Sequence, residues 1–207
     1  MRSGAGLDSP AIGKIQAGTI VESDEYNWKA VTLPDGRKGY AAGEYLEKVA
    51  SPPPPKWFAP IRIDKFKLTQ KFFEVDAVSY PKTGHHPGVD YGTQGQDNVP
   101  LYYCTSGEVI ESGVSPSFGN YFFYYVSEVD RTFLYFHLRD TAPAKGKYQG
   151  GAQCGVAGKT GQSTGNHLHL ECMKGKKTST DRKNLYISAT ALLAAAEDAD
   201  AFLRARI

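Results

Sequence analysis

Long apolar segments are missing from this chain of 207 residues. No run approaches the roughly 18 consecutive apolar residues that a membrane-spanning helix needs. A signal peptide is missing as well, because Arg2 is followed by small residues and not by an apolar segment. We therefore expect either export by another route or a chain that is a piece of a longer protein, and we favour the second.

Cysteine is scarce, and its spacing excludes one class of metal site. The three cysteines, Cys104, Cys154 and Cys172, form no C-x-x-C pair of the kind that binds zinc or carries out redox chemistry. An odd number leaves at least one thiol free. We expect these side chains to be small buried hydrophobes, while a Cys104–Cys172 disulfide stays open as an alternative.

The charges are nearly balanced, with 24 Lys and Arg against 22 Asp and Glu, and the formal net charge of +2 gives no argument for nucleic-acid binding. Hydrophobic residues make up 41% of the chain, which is enough for a core. The 22 glycines, 13 tyrosines and 10 phenylalanines favour a mainly β protein with many turns. The length suits one medium domain, alone or with a small one.

Residues 1–49 carry several short strand signals separated by turns. The order R-S-G-A-G, G-T-I-V, W-K-A-V, D-G-R-K-G-Y and Y-L resembles the bacterial SH3-like domains found beside cell-wall hydrolases. The resemblance implies a small SH3-like barrel, either a wall-binding module or a structural spacer. A short strand normally precedes R-S-G in that family, so we expect Met1 to lie inside a domain of a longer chain.

The remainder divides into a linker, a β domain and a helix. Residues 50–56 contain four prolines and predict a stiff polyproline segment. Residues 57–185 predict an antiparallel β domain. Residues 186–207 predict one C-terminal helix, because apolar residues from Ala191 onward recur on one face and Ser188 is a plausible N-cap.

An aromatic hairpin is the strongest structural signal within the β domain. The runs Tyr121–Val126 and Thr132–His137 are separated by a short polar turn and should pair as antiparallel strands. The aromatic side chains predict a core. A stacking platform for nucleic acid would need an accompanying basic stripe, which the sequence lacks.

The five histidines fall into two groups that suit a metal site. His86 and Asp90 are four residues apart, with Pro87 and Gly88 between them, so they lie on a turn that enters a strand. Such a turn can bring an imidazole and a carboxylate to one ion, and Gly88 allows a close backbone approach.

The second group is His167 and His169, with His137 between the two groups. If residues 167–171 form a strand, both side chains point to the same face. Zinc catalytic sites commonly use three protein ligands of the nitrogen and carboxylate type, which His86, Asp90 and one late histidine would supply. Copper and iron can use similar ligands, so the chemistry alone leaves the metal open.

Four segments together resemble the lysostaphin-like (LytM-type) zinc endopeptidases, which cut the peptides of bacterial peptidoglycan. The resemblance spans about 115 residues from Leu68 to Cys172, and the matching pieces are His86-x-Gly88-Val89-Asp90, Tyr135-x-His137-Leu138, Gly158-x-Thr160-Gly161-x-Ser163-Thr164-Gly165 and His167-Leu168-His169. The fold that it implies is an antiparallel β-sheet peptidase domain with an active-site groove.

The resemblance also implies residue roles. His86, Asp90 and His169 would hold one Zn²⁺. His137 and His167 would be the unliganded pair that moves protons, and Tyr80 would reach the reacting carbonyl. His85 matches no ligand position and is expected to be a solvated loop residue.

The expected function is zinc-dependent hydrolysis of stem or cross-bridge peptides in peptidoglycan. The expected location is extracellular, periplasmic, bound to the cell wall or carried on a virion. Two alternatives stay open, a non-catalytic wall-binding activator or scaffold and a zinc endopeptidase that acts on a protein outside the wall. The first would show no chelator-sensitive activity, and the second is disfavoured only by the neighbouring SH3-like segment.

Overall fold

The computed structural model describes Ser3, residues 22–23, 28–32, 38–42, 55–62, 64 and 66–207. The chain divides into two units, Met1–Pro53 and Pro54–Ile207, and the division falls inside the predicted linker. No helix in the described part of the chain is long and apolar enough to cross a membrane.

The first unit contains a three-stranded antiparallel sheet. Its strands are β1 (Glu22–Ser23), β2 (Trp28–Thr32) and β3 (Lys38–Ala42), in the order β1-β2-β3. The last two contain the predicted strand segments W-K-A-V and K-G-Y. The remaining strand signals of residues 1–49 lie outside the described residues, so the SH3-like barrel stays a prediction.

The second unit is built on one large antiparallel sheet and a small one. The strands are β4 (Lys67–Gln70), β5 (Val89–Gly92), β6 (Pro100–Tyr102), β7 (Gly107–Ser115), β8 (Gly119–Val126), β9 (Arg131–Leu138), β10 (Gly146–Tyr148), β11 (Gln153–Val156), β12 (His167–Lys174) and β13 (Ala196–Glu197). The large sheet has the order β10-β7-β8-β9-β12-β5-β4, with β13 also paired to β12. Strands β6 and β11 form the small sheet.

The predicted aromatic hairpin is confirmed as β8 paired with β9. A 3-10 turn over Ser127–Val129 connects them, and Asp130 closes the turn in the left-handed conformation with φ 49°. Both faces of these strands are buried, since Phe122 and Tyr135 lie in one apolar cluster and Phe123 lies in the other. The aromatic runs are therefore core, as the sequence predicts.

The prediction of one continuous C-terminal helix over residues 186–207 is wrong, because this segment forms two helices with a short strand between them. The structure has α2 (Ala189–Ala195) and α3 (Ala199–Arg204), and strand β13 interrupts the helical segment between them. Ala196 and Glu197 stay extended because they pair with β12. The Asp198 carboxylate then caps the N-terminus of α3. The predicted N-cap at Ser188 is confirmed by its bond to the backbone of Ala191.

A further helix lies in a region where the sequence predicted strand. Helix α1 (Ser179–Leu185) begins at a capping box in which Thr178 and Asp181 bond each other's backbone N–H groups. Tyr186, which follows the helix, packs in the same cluster as Leu192 of α2, on one face of the sheet. Helix α3 packs its Leu203 into the cluster on the other face.

The three cysteines are free and buried. This agrees with the prediction of small buried hydrophobes, and the alternative of a Cys104–Cys172 disulfide is excluded. Burial raises the pKa of all three thiols, which makes them poor nucleophiles.

Candidate metal centre

The predicted site residues meet where β5 and β12 pair. In the register of these antiparallel strands, Asp90 lies directly opposite His169. His86 lies in the turn that leads into β5, and His137 lies near the end of β9, the other neighbour of β12. The pairing of β5, β12 and β9, together with the turn before β5, thus brings together three segments that are far apart in the sequence.

Three ligand atoms converge on one point. Nε2 of His86 lies 3.1 Å from Nδ1 of His169, and Oδ1 of Asp90 lies 2.8 Å from the same Nδ1 and 3.3 Å from Nε2 of His86. Ligands bonded to tetrahedral zinc at about 2.0–2.1 Å are about 3.3 Å apart, so the three atoms fit such an ion. The three residues form a group able to hold a metal ion.

The turn that carries His86 is fixed by its backbone and by one glycine. The His86 N–H donates to the carbonyl of Glu74, and its carbonyl accepts from the N–H of Phe73. A Cβ at Gly88 would lie 2.5 Å from the backbone oxygen of Leu170, so only glycine allows the turn this close to β12. The predicted role of Gly88 in a close backbone approach is confirmed.

His86 and His169 present opposite nitrogens of their rings. Nδ1–H of His86 donates to the carbonyl of Lys71 at 3.0 Å, which leaves Nε2 to face the site. In His169 the assignment is reversed, because Nε2 lies 3.0 Å from Oε1 of Glu171 and donates to it. When each ring is neutral, as a metal ligand must be, these bonds hold it in the tautomer whose free nitrogen faces the other ligands.

Glu171 is a site residue that the sequence reasoning did not assign a role. It is fully buried, and the guanidinium of Arg182 binds both of its carboxylate oxygens. Its position could have been predicted from strand alternation, because residues 167, 169 and 171 of β12 point to the same face. Arg182 lies on α1, and no sequence pattern indicated that its side chain would reach Glu171.

The two histidines assigned to proton transfer lie side by side, with ring centroids 4.8 Å apart. Nδ1–H of His137 donates to the carbonyl of Thr160 at 2.7 Å, and Nδ1–H of His167 donates to the carbonyl of Gly165 at 2.9 Å. Their Nε2 atoms are left as acceptors, and that of His167 lies 3.8 Å from Oδ1 of Asp90. Each ring therefore has one nitrogen without a proton, which can act as an acceptor.

The backbone at His137 is unusual for a residue other than glycine. Its φ is 62°, in the left-handed region. Its N–H donates to the carbonyl of Phe118, next to Gly119, where a Cβ would lie 2.2 Å from Oγ1 of Thr160. The close packing of these loops holds the Thr160 carbonyl that orients the His137 ring.

Charge is distributed unequally among the site residues. Burial lowers the pKa of His137 to about 4, with a contribution from His169, and burial also lowers the pKa of His167. Burial lowers the pKa of His169 too, but Asp90 and Glu171 outweigh it and raise the value to about 9. His137 and His167 are therefore neutral at pH 7, the state in which an imidazole can accept a proton.

The carboxylates are held ionised despite their burial. Burial raises the pKa of Asp90, but the neighbouring His169 and His86 outweigh it and hold the pKa well below its usual range. For Glu171, burial likewise raises the pKa, while Arg182 and His169 lower it to about 2. Both groups are negatively charged in the neutral pH range, which suits binding of a cation.

Tyr80 lies beside the three candidate metal ligands, whereas His85 lies outside that set. The ring of Tyr80 is half-buried, with its centroid 5.5 Å from that of His86, and burial with the nearby Asp90 raises the pKa of its hydroxyl. Tyr80 therefore keeps its proton and can donate it in a hydrogen bond. His85 stacks on Phe73 with centroids 4.0 Å apart and lies outside the ligand group, so it is half-buried rather than a freely solvated residue.

Comparisons with known proteins identify a family and a fold for part of this chain. The sequence model of peptidase family M23 matches residues 84–181, and M23 peptidases are zinc metallopeptidases. Over 148 residues, or 67% of this chain and 31% of the relative, the sequence is 35% identical to the peptidoglycan DD-endopeptidase ShyB of Vibrio cholerae. Over 86 residues, or 42% of this chain and 19% of the relative, it is 34% identical to the DD-carboxypeptidase/endopeptidase Mpg of Neisseria meningitidis.

The chain thus spans less than a third of the length of these curated relatives. Its fold is similar to that of the catalytic domain of the antimicrobial peptidase lysostaphin from Staphylococcus simulans, with a TM-score of 0.54 and 22% identity. That likeness covers 68% of this chain and 94% of the lysostaphin domain. Residues 84–181 therefore belong to a peptidase M23 domain, and the fold is that of the lysostaphin catalytic domain.

Proposed function

We propose that this protein is a zinc-dependent endopeptidase that hydrolyses peptide bonds in bacterial peptidoglycan. One Zn²⁺ would be held by His86, Asp90 and His169. The observation that carries the proposal is the juxtaposition of two features, three ligand atoms within 3.3 Å of one another and a neutral pair of histidines beside them.

A zinc ion held by these three residues would supply Lewis acidity, which would polarise the scissile carbonyl and make water a nucleophile at neutral pH. His137 and His167 contribute proton transfer. One Nε2 accepts the proton of the attacking water, and an imidazolium then donates a proton to the leaving amine. The bonds to Thr160 and Gly165 keep both rings aimed during this exchange.

Tyr80 contributes a hydrogen-bond donor. Its raised pKa keeps the hydroxyl protonated, and its ring lies beside the ligand His86. In this position the hydroxyl donates to the oxyanion that develops on the substrate carbonyl. Such donors act mainly on the transition state, where the oxygen carries its charge.

The proposed substrate is the peptide portion of peptidoglycan. ShyB is named as a peptidoglycan DD-endopeptidase, and lysostaphin is named as an antimicrobial peptidase. We infer the same substrate class for this chain, with action at the cell wall from the periplasm, the exterior or a virion. The proposed ligands and the proton-transfer pair are all present, which favours an enzyme over a non-catalytic scaffold.

Hydrolysis of purified peptidoglycan tests the proposal directly. The protein should clear a suspension of purified walls, lose this activity with a chelator and regain it when one equivalent of Zn²⁺ is restored. New amino termini in the released fragments, identified by mass spectrometry, would establish that peptide bonds are cut. Wall binding without chelator-sensitive cleavage would support the scaffold alternative instead.

A further inference from the structure

We propose that Arg182 is a positioning residue of the metal centre, which acts through Glu171 on the ligand His169. The inference rests on the proposed function, because it treats His169 as a ligand of the bound ion. It assigns a role at this centre to a helix residue just beyond the segment matched to the family.

The contacts form a continuous chain from the helix to the ligand. Nε of Arg182 lies 3.1 Å and 2.9 Å from the two carboxylate oxygens of Glu171, and its Nη2 lies 2.5 Å from Oε1. The same Oε1 accepts the Nε2–H of His169 at 3.0 Å. Glu171 is 0% exposed and the Arg182 side chain is 14% exposed, so water screens this pair poorly.

Arg182 also contacts the rings that pack against the ligand. Its guanidinium lies 5.0 Å from the ring centroid of Phe118 and 5.5 Å from that of Phe136. Phe136 stacks on His169 with an interplanar angle of 5°, and Phe118 stacks on Phe136 at 9°. One side chain thus restrains both the hydrogen-bond partner of the His169 ring and the aromatic stack on its face.

Two physical consequences follow for His169. A carboxylate that accepts Nε2–H fixes the tautomer with a free Nδ1, and its negative charge makes that Nδ1 a better electron donor. A buried carboxylate keeps its charge only if a cation and hydrogen bonds offset its loss of hydration. Arg182 supplies both, so the donor strength and the orientation of His169 depend on a residue that does not touch the ion.

A purely structural ion pair is the competing explanation. Replacing a buried ion pair with apolar groups of similar size is often neutral for stability. A structural role therefore predicts that a well-packed replacement leaves zinc binding unchanged. A positioning role predicts weaker zinc binding in a protein that is still folded.

The test compares the full chain with R182K and with the double variant E171Q/R182M. Lysine keeps the charge but loses the bidentate contact. In the double variant, the glutamine side chain would still accept from His169, while the methionine side chain would fill the space between the rings. R131K is the matched control, because Arg131 pairs with Glu197 at the opposite end of β12.

Zinc affinity is measured by competition with a chromophoric chelator, and the absorption spectrum of the Co²⁺-substituted protein reports the ligand geometry. We expect both test variants to bind zinc about 10- to 100-fold more weakly, with an altered cobalt spectrum, and R131K to match the unmodified protein. Folded variants with unchanged affinity and spectrum would overturn the proposal. If neither variant keeps the circular dichroism of the unmodified chain, Arg182 is a folding residue and the proposal also fails.

The design separates the two proposals. If the unmodified chain binds no zinc, the proposed function fails and the role of Arg182 fails with it. If the unmodified chain binds zinc and the variants bind it equally well, only the role of Arg182 fails.

Discussion

His86 and His169 face each other with different ring nitrogens, Nε2 of the first lying 3.1 Å from Nδ1 of the second. The difference has a cause in each case, since Lys71 accepts from Nδ1–H of His86 and Glu171 accepts from Nε2–H of His169. When both rings are neutral, as metal ligands must be, one backbone carbonyl and one buried carboxylate hold these two residues of the same type in opposite tautomers.

Loss of a ligand should remove the metal. We expect His86→Ala, Asp90→Ala and His169→Ala to lose stoichiometric zinc, because two protein ligands bind the ion far more weakly than three. Elemental analysis after gel filtration measures the zinc content. His85→Ala is the matched control and should retain one zinc per chain. A stoichiometric zinc content in His169→Ala would contradict the assigned ligand set.

Loss of a proton-transfer residue should leave the metal in place. His137→Ala and His167→Ala are expected to keep zinc near one equivalent while hydrolysis falls about 10²- to 10⁴-fold, the usual contribution of general acid–base catalysis. Metal content and wall hydrolysis are measured on the same preparation. Full activity in either variant would remove that residue from the mechanism.

The hydroxyl of Tyr80 should matter only for the rate. Tyr80→Phe is expected to lower kcat about 10²- to 10³-fold with little change in KM, as for loss of an oxyanion donor. Tyr125→Phe is a suitable control, because that hydroxyl donates to the exposed carboxylate of Asp130. An unchanged kcat in Tyr80→Phe would show that the hydroxyl does not contact the developing charge.

Gly88 should be essential for the turn that carries His86. The added methyl group in Gly88→Ala would meet the Leu170 carbonyl at 2.5 Å, so the turn must shift. We expect the free energy of unfolding to fall by about 1–3 kcal/mol, as for an overpacked site, and zinc binding to weaken. Gly165→Ala is the control, since a Cβ at that position would meet nothing within 4 Å. Equal urea midpoints for the two variants would refute this account.

The metal-free protein should lose stability as the pH rises above neutrality. Burial opposes the charge on His169, but Asp90 and Glu171 raise its pKa to about 9, above the unfolded value of about 6.5. The folded state therefore binds the extra proton, and its contribution is complete below pH 6.5 and is lost as the pH rises through 9. Between pH 6.5 and 8 this amounts to about 1 to 2 kcal/mol.

Urea unfolding in chelator at the two pH values measures the effect. The His169→Gln chain serves as the reference, because both chains have the same cysteines and the same other titrating groups. The decrease should be present in the unmodified chain and much smaller in the variant. Equal decreases in the two chains would show that His169 is not the group responsible.

Strand periodicity predicts a large part of the site. Alternation along residues 167–171 places His167 and His169 on one face, and the proline and glycine after His86 predict a turn. The structure has both the strand and the turn, because each depends on local sequence and not on contacts with distant segments. The same alternation includes Glu171, so its place beside His169 was also open to prediction.

The features that sequence reasoning missed depend on long-range contacts. Ala196 and Glu197 fit a helical pattern, yet they become strand because β12 offers unpaired backbone groups beyond the end of β5. Arg182 lies on a short helix whose only local signal is the capping box at Thr178. Nothing in the spacing between positions 171 and 182 indicates that their side chains meet.

The separation of the ligands along the chain has a consequence for biosynthesis. His86 and His169 are 83 residues apart, a length that a ribosome takes roughly 4 to 17 seconds to synthesise. During that interval β5 has no β12 to pair with, and its open edge is exposed to other chains. On the proposed ligand set, the three ligands are assembled only after β12 has been synthesised and has paired with β5, so metal acquisition follows the closure of this sheet.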